Sequence, residues 1–243
     1  MRILIECLRL RFQSMNVFDP DYLLDSFKPP FANNQNKFNG LADGVYFAQM
    51  FTEHFCEHIL GRVIHFETKC GTDEPETANS MHWNAITTKQ LGIDPLVHSL
   101  VAFFDREISP YILPKRLQLP ADSLHGYVVK YGQSWDQDLG FHVDDSFLTL
   151  NICLNDGFTG SELVFSGERC PIHIDTDPSA EEQLCIEHKK GSLVVHPGKN
   201  RHHVDQITSG ERYNLIIWCQ SDTERDSWFG ALETGECMDF CRV

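Results

Sequence analysis

His142-Val143-Asp144, His202 and Arg212 are the residues of this chain whose types and spacing could do chemistry. Two imidazoles and one carboxylate supply three ligands on one side of a divalent metal and leave the remaining positions open. That is the facial arrangement with which non-haem Fe(II) sites activate O2. Arg212 follows His202 by ten positions. Its planar fork suits two-point contact with a carboxylate, so the set includes an anchor for a dicarboxylate cosubstrate.

The His-x-Asp pattern does not stand on its own. It occurs at His142/Asp144, His173/Asp175 and His203/Asp205, where about one chance match is expected. No histidine follows His203 to serve as a distant third ligand, and His173 lies in CPIHIDTDPSAEE, a polar stretch that reads as a loop insertion. Only His142 and Asp144 sit in a β-patterned run, where residues i and i+2 face the same side. His202 is preferred to its neighbour His203 as third ligand because of the interval to Arg212; both remain open, as does a pair of surface histidines in a turn.

Alternation in RYNLIIW puts Arg212, Asn214, Ile216 and Trp218 on one face and Tyr213, Leu215 and Ile217 on the other. The second face is apolar and should pack on helices, which turns Arg212 inward. A guanidinium there is costly unless it meets an anion; a structural salt bridge to one of the 35 acids would serve equally. In FLTLNICLN, Leu148, Leu150, Ile152 and Leu154 oppose Thr149, Asn151 and Cys153, whose polar face either contacts a bound organic acid or meets solvent. In YVVKYG, Tyr127, Val129 and Tyr131 share a face, so Tyr131 is a hydroxyl donor to the carboxylate held by Arg212 or a core tyrosine.

These residues need a β framework, and the chain after Pro120 offers one. LHGYVVKYG, GFHVD, FLTLNICLN, SELVFSG, QLCIEH, GSLVVHPG, HHVDQIT and RYNLIIWCQ are short β-rich runs divided by Gly, Asn and Asp, with no helical period between them. They predict a sandwich or jelly roll. Before them, residues 47–64 and 94–112 have helical spacing, the latter with Asp94 as N-cap and Pro95 in the first turn. Residues 68–80 read as an acidic loop. The expected organisation is an N-terminal extension over 1–43, helical support over 44–120, a β core over 121–221 and a C-terminal tail over 222–243.

Composition excludes several classes. The formal net charge is −15 with pI near 5.1 and no Lys/Arg run, so nucleic acid is disfavoured as a partner. Nine cysteines, an odd and dispersed set without a Cys-x2-Cys pair, suggest neither a disulfide framework nor a zinc ribbon. Cys237 and Cys241 could share a helical face but have no two further metal ligands beside them, and His196 takes no role. Charges interrupt the apolar start, and no run of eighteen apolar residues occurs, so a soluble, intracellular protein in a reducing compartment is expected, with no membrane partner.

The motifs resemble the Fe(II)/2-oxoglutarate-dependent dioxygenases of the prolyl 4-hydroxylase-like class. HGYVVKYG, DLGFHVDDSFLTLNICLN, FTGSELVFSGERC, HPGKNRHH and TSGERYNLIIWC are similar to PKHD-type hydroxylases and to iron- and 2-oxoglutarate-dependent oxygenase-domain proteins, and NSMHWNAITTKQLGID resembles the region before their barrel. The resemblance covers about residues 44–221. It implies a double-stranded β-helix, jelly-roll and cupin-like and mainly β with supporting helices, that hydroxylates or oxidatively demethylates a C–H bond of a protein or peptide substrate and releases succinate and CO2. Its roles fall on His142, Asp144 and His202 as Fe(II) ligands, on Arg212, Tyr131 and Thr149 as 2-oxoglutarate contacts, and on Asn151, Asn214, Trp218 and Val204 as pocket lining, with L-ascorbate as reductant. One departure is Gly160-Ser161-Glu162, where that class usually has Gly-Gly-Glu. The competing functions are a non-catalytic metal-containing jelly-roll binding protein and a Zn2+ hydrolase on the same ligands.

Overall fold

The computed structural model describes residues 18–29, 35–42, 44–69, 81–82, 84–118 and 120–242. The basic, apolar start of the chain and most of the expected loop 68–80 lie outside the described residues.

A hairpin of β1 (Asn39–Ala42) and β2 (Val45–Gln49) leads into helix α1 (Glu53–Lys69). After the short β3 (Ile86–Thr87) come α2 (Asp94–Glu107) and α3 (Ser109–Ile112). Ten strands follow: β4 (Ser123–Gly132), β5 (Leu139–His142), β6 (Leu148–Cys153), β7 (Thr159–Gly160), β8 (Leu163–Glu168), β9 (Gln183–Ile186), β10 (Ser192–Pro197), β11 (Asn200–Val204), β12 (Ile207–Ser209) and β13 (Glu211–Gln220). Helix α4 (Asp222–Thr234) ends the regular structure.

Two antiparallel sheets face each other. The larger runs β1-β2-β10-β6-β13-β4-β3 and the smaller β5-β11-β8-β9, with β12-β7 as a separate pair. The ladder of β13 with β4 spans ten residue pairs, and period-2 alternation then sorts its side chains. Leu215, Ile217 and Cys219 join Leu148, Leu150, Ile152, Leu193 and Val195 in a core against the helices, through Phe55, Ile59, Leu96, Leu100 and Phe104. Ile216 and Trp218 face the other way and pack with Tyr127, Val129 and Tyr131 on Leu163, Phe165, Ile186 and Val204 of the smaller sheet. Consecutive antiparallel strands wound into two facing sheets, backed by helices on one side, form a double-stranded β-helix.

The helix expected over 47–64 begins later. Phe47 lies in β2, paired with Val194 of β10, and the backbone N–H groups of Met50 and Phe51 both donate to Gly191. Ladder bonds from a neighbouring strand outweigh local helical spacing until Thr52, whose hydroxyl accepts from the Phe55 N–H at 3.4 Å and opens α1. Asp94 is likewise inside the first turn of α2: Ile93 occupies the cap without a side-chain bond, and the Asp94 carboxylate accepts from Thr88.

The described residues of the segments expected as extension and tail pack on the rest of the fold. Phe18, Tyr22, Leu23, Phe27 and Phe38 are buried in the helix-facing core. At the other end, Ser221 caps α4 by accepting from the Glu224 N–H at 3.4 Å, and Gly235 ends it with φ 70°. The helix docks through Arg225, which binds Asp145 at 2.6 Å, and through Trp228, whose ring lies 4.7 Å from the Lys199 ammonium.

Burial pushes the Glu224 carboxyl up to about 7 against the pull of Lys199. A proton held more tightly in the folded chain than in the unfolded one removes stability as pH rises from the ordinary carboxylate value of 4.5 through about 7. Glu224→Gln cannot ionise, so thermal melts should match the wild type near the lower end of that window. Well above it the variant should melt about 2–4 °C higher, the response to about 1 kcal/mol after discounting for partial exposure. An equal difference at both ends would remove the pH-linked contribution.

Candidate metal centre

His142 closes β5 and stands directly opposite His202 on β11. The two rings are 4.1 Å apart, and the Nε2 atoms of His142 and His202 lie 3.6 and 3.7 Å from Oδ1 of Asp144. Each imidazole turns its Nδ1 to a backbone carbonyl two residues earlier, Gly140 for His142 at 2.7 Å and Asn200 for His202 at 2.8 Å. Those bonds place the proton on Nδ1 and leave both Nε2 lone pairs aimed at the carboxylate.

Asp144 is held by the turn after β5. Its N–H donates to the Gly198 carbonyl at 2.8 Å, and its own carbonyl accepts from the buried Lys199 ammonium at 2.8 Å. A Cβ on Gly198 would come within 2.0 Å of the Ser146 carbonyl oxygen, so this close approach requires glycine. Thr149 donates to Oδ2 of Asp144 at 2.6 Å and is itself 2.8 Å from the Ser146 hydroxyl. Its hydroxyl thus orients the carboxylate.

Burial pushes the Asp144 carboxyl up, but His202, His196, His142 and the Thr149 hydroxyl outweigh it and hold the carboxyl below its ordinary value. Burial, reinforced by His202, brings His142 down to about 3. Three ligand atoms thus converge on one place, and two nitrogens with one oxygen suit Fe(II).

His203 is elsewhere: its Nε2 pairs with Asp205 at 3.3 Å on a solvent-facing side of β11. His173 sits among cysteines, away from the triad. His196 is a member of the neighbourhood that its sequence context did not announce. It is fully buried, its Nε2 is 3.8 Å from Oδ2 of Asp144, and its ring is 4.8 Å from that of His202. The signal lies in strand pairing, since β10 sets His196 opposite Thr149.

Arg212 is the other half of the site. It is 1% exposed, and no carboxylate among the described residues reaches it to form an ion pair. Its partners are neutral: the carbonyl and hydroxyl of Ser161, the Asn214 amide oxygen at 2.8 Å and Nδ1 of His188 at 2.7 Å. Ser161 is the one non-glycine with positive φ, 65°, among the described residues. The left-handed turn that Gly-Gly-Glu would make easily is kept here by a residue whose carbonyl and hydroxyl both hold the guanidinium.

Tyr131 and Phe158 each present a ring 5.7 Å from the guanidinium carbon, and burial raises the Tyr131 hydroxyl so that it stays protonated. Asn214 also donates to the Asn151 amide oxygen at 2.6 Å. Trp218 and Val204 lie in the apolar layer between the sheets.

His188 was not legible as a site residue. Its Nδ1 faces N–H donors of both Arg212 and Asn214, at 2.7 and 2.9 Å. The proton is therefore on Nε2, a buried donor without a hydrogen-bond partner. Burial and the Arg212 cation push its pKa well below the usual imidazole value, so the ring is neutral.

Comparison with known proteins agrees with this geometry. No family model matches the chain. It is 39% identical over 186 residues to a 2-oxoglutarate and iron-dependent oxygenase domain-containing protein of Arabidopsis thaliana, an alignment covering 75% of this chain and 47% of the relative. The chain is a homologue of the 2-oxoglutarate and iron-dependent oxygenase domain proteins. This oxygenase homologue spans about half the length of that relative. It is also 25% identical over 197 residues to procollagen-lysine,2-oxoglutarate 5-dioxygenase of Drosophila melanogaster, covering 76% of this chain and 25% of that one. The same fold occurs in EvdO2 of Micromonospora carbonacea, crystallised with 2-oxoglutarate, at TM-score 0.52 and 10% identity over 78% of this chain and 91% of that one.

Thr149→Val in the oxygenase homologue keeps the side-chain shape but removes the bond to Asp144. Titration with Mn(II), a redox-stable stand-in for Fe(II), should show affinity falling about 10- to 100-fold in a protein that still melts cooperatively. Wild-type affinity would show that Thr149 does not orient the ligand.

Proposed function

We propose that this chain is an Fe(II)- and 2-oxoglutarate-dependent dioxygenase that oxidises a C–H bond of a protein or peptide substrate, by hydroxylation or oxidative demethylation, and releases succinate and CO2. The observation that carries this is Arg212: a fully buried guanidinium with only neutral partners, on the larger sheet, while His142 and His202 stand on the smaller sheet that faces it. A buried cation without an anion is unstable, and a dicarboxylate supplies one. A metal pocket used for binding alone, or a zinc hydrolase, has no need of such an anchor.

In this proposal His142, Asp144 and His202 hold Fe(II), which when bound supplies the O2 activation and the oxidative decarboxylation of the 2-oxo acid. Arg212 and Tyr131 take the distal carboxylate, with the neutral His188 offering Nε2–H alongside. Asn214 and Ser161 keep the guanidinium plane fixed. Trp218, Val204 and the apolar layer exclude water, which strengthens each polar contact inside. L-ascorbate is the reductant expected to restore oxidised iron.

A protein substrate is supported by the Drosophila relative, a procollagen-lysine,2-oxoglutarate 5-dioxygenase, and by the net charge of −15, which disfavours nucleic acid. No helix among the described residues is long and apolar enough to cross a membrane.

Anaerobic loading with Fe(II) and 2-oxoglutarate should give the metal-to-ligand charge-transfer band, and admitting O2 should give succinate even without a second substrate. Arg212→Ala should raise the KM for 2-oxoglutarate about 10- to 100-fold, the loss of one charge-assisted pair, with Mn(II) affinity almost unchanged. No band and no succinate from iron-loaded protein would overturn the oxygenase assignment; an unchanged KM would overturn that of Arg212.

A further inference from the structure

Four residues that the oxygenase site does not use meet at one place on the surface. Cys170 and His173 flank the turn Pro171–His173 that follows β8, and Cys237 and Cys241 lie beyond the end of α4. One ligand atom from each falls within 4.8 Å of all the others. Nδ1 of His173 is 3.2 Å from the Cys170 sulfur, 3.6 Å from that of Cys237 and 3.5 Å from that of Cys241, and the Cys170 and Cys237 sulfurs are 3.8 Å apart.

We infer that Cys170, His173, Cys237 and Cys241 form a structural zinc site that pins the C-terminal segment to the smaller sheet. Zn–S bonds of about 2.3 Å and Zn–N bonds of about 2.0–2.1 Å in a tetrahedron set sulfur–sulfur edges near 3.8 Å and sulfur–nitrogen edges near 3.5 Å. The four distances above lie close to these edges. Hydrogen bonding does not account for them, because one ring nitrogen has at most one proton or one lone pair to share among three sulfurs. A disulfide does not either, since it needs sulfurs about 2.05 Å apart. Three thiolates and one imidazole in a closed tetrahedron select Zn2+, and the intervals Cys-x2-His and Cys-x3-Cys are short enough for each pair to bite one ion.

The site is independent of the iron chemistry but not remote from it in the fold. It fastens the chain leaving α4, whose Trp228 and Arg225 cover Lys199 and Asp145 beside the metal-binding aspartate.

The test is metal analysis of the full chain, purified without chelator. One zinc per chain should remain when His142→Ala and His202→Ala abolish the triad, and it should disappear in Cys237→Ser/Cys241→Ser while Mn(II) binding at the triad survives. Cobalt substitution gives a second readout on the folded wild type: one equivalent of Co(II) added to zinc-depleted triad-less protein should give tetrahedral d–d bands with thiolate charge transfer. Protein that holds no zinc and gives no cobalt–thiolate bands would overturn the proposal, as would a disulfide between any two of Cys170, Cys237 and Cys241 in protein prepared with reductant.

Discussion

Two imidazole nitrogens and a carboxylate face one another across less than 4 Å, and much of the barrel is arranged to keep them there. Such a convergence of acceptors is repulsive unless a cation joins it, so each group is restrained from behind. Gly140 and Asn200 fix the two ring tautomers, Thr149 and Lys199 fix the aspartate at its carboxylate and its carbonyl, and the pairing of β5 with β11 sets the rings opposite each other. Removing any one restraint lets a ligand turn away to a partner of its own.

The second constraint is the guanidinium of Arg212, and it divides the barrel differently. β13 has an apolar back made of Leu215, Ile217 and Cys219 against the helices. That burial forces Arg212 and Asn214 to the inside, because a strand cannot turn one residue without turning its alternate neighbours. The cost of a buried cation is met in part by neutral acceptors, Ser161, Asn214 and His188, and these leave the positive charge itself unbalanced. Hydrophobic burial on one face of a strand therefore produces anion affinity on the other.

The inner-facing run from Arg212 to Trp218 was legible because period-2 alternation is a local property of ten consecutive residues. The choice of His142/Asp144 over the other two His-x-Asp pairs rested on the same alternation, although β5 ends at His142 and the turn after it carries Asp144. His202 and His203 differ in the direction each faces on β11, where one ring meets Asp144 and the other meets Asp205, and their order in the sequence does not show which is which. His188 and His196 could not be found in this way. Each acquires its meaning from a strand more than 20 residues away in sequence, His188 from β13 and His196 from β6, and register between distant strands leaves no local mark. β2 failed in the opposite direction, since its spacing suited a helix and only the edge of β10 decided otherwise.

The same non-locality explains the cysteines. Cys237 and Cys241 appear to lack partners when only their neighbours in sequence are counted, and the two missing ligands lie 64 residues or more before them. What brings them together is α4, and α4 forms because Ser221 can cap it directly after β13, so the end of the last strand dictates where the cysteines arrive. The helix then has two attachments: Trp228 and Arg225 against Lys199 and Asp145, and the cysteine–histidine cluster beyond Gly235. The first attachment is polar and exposed at its edge, and a single surface ion pair such as Arg225 with Asp145 contributes about 1 kcal/mol or less. A covalently ligated second attachment raises the local concentration of Trp228 over Lys199. The ammonium of Lys199, shielded by that ring, keeps its bond to the Asp144 carbonyl. A closed metal site at the surface thereby supports the geometry of an open one inside, by restraining the helix that lies between them.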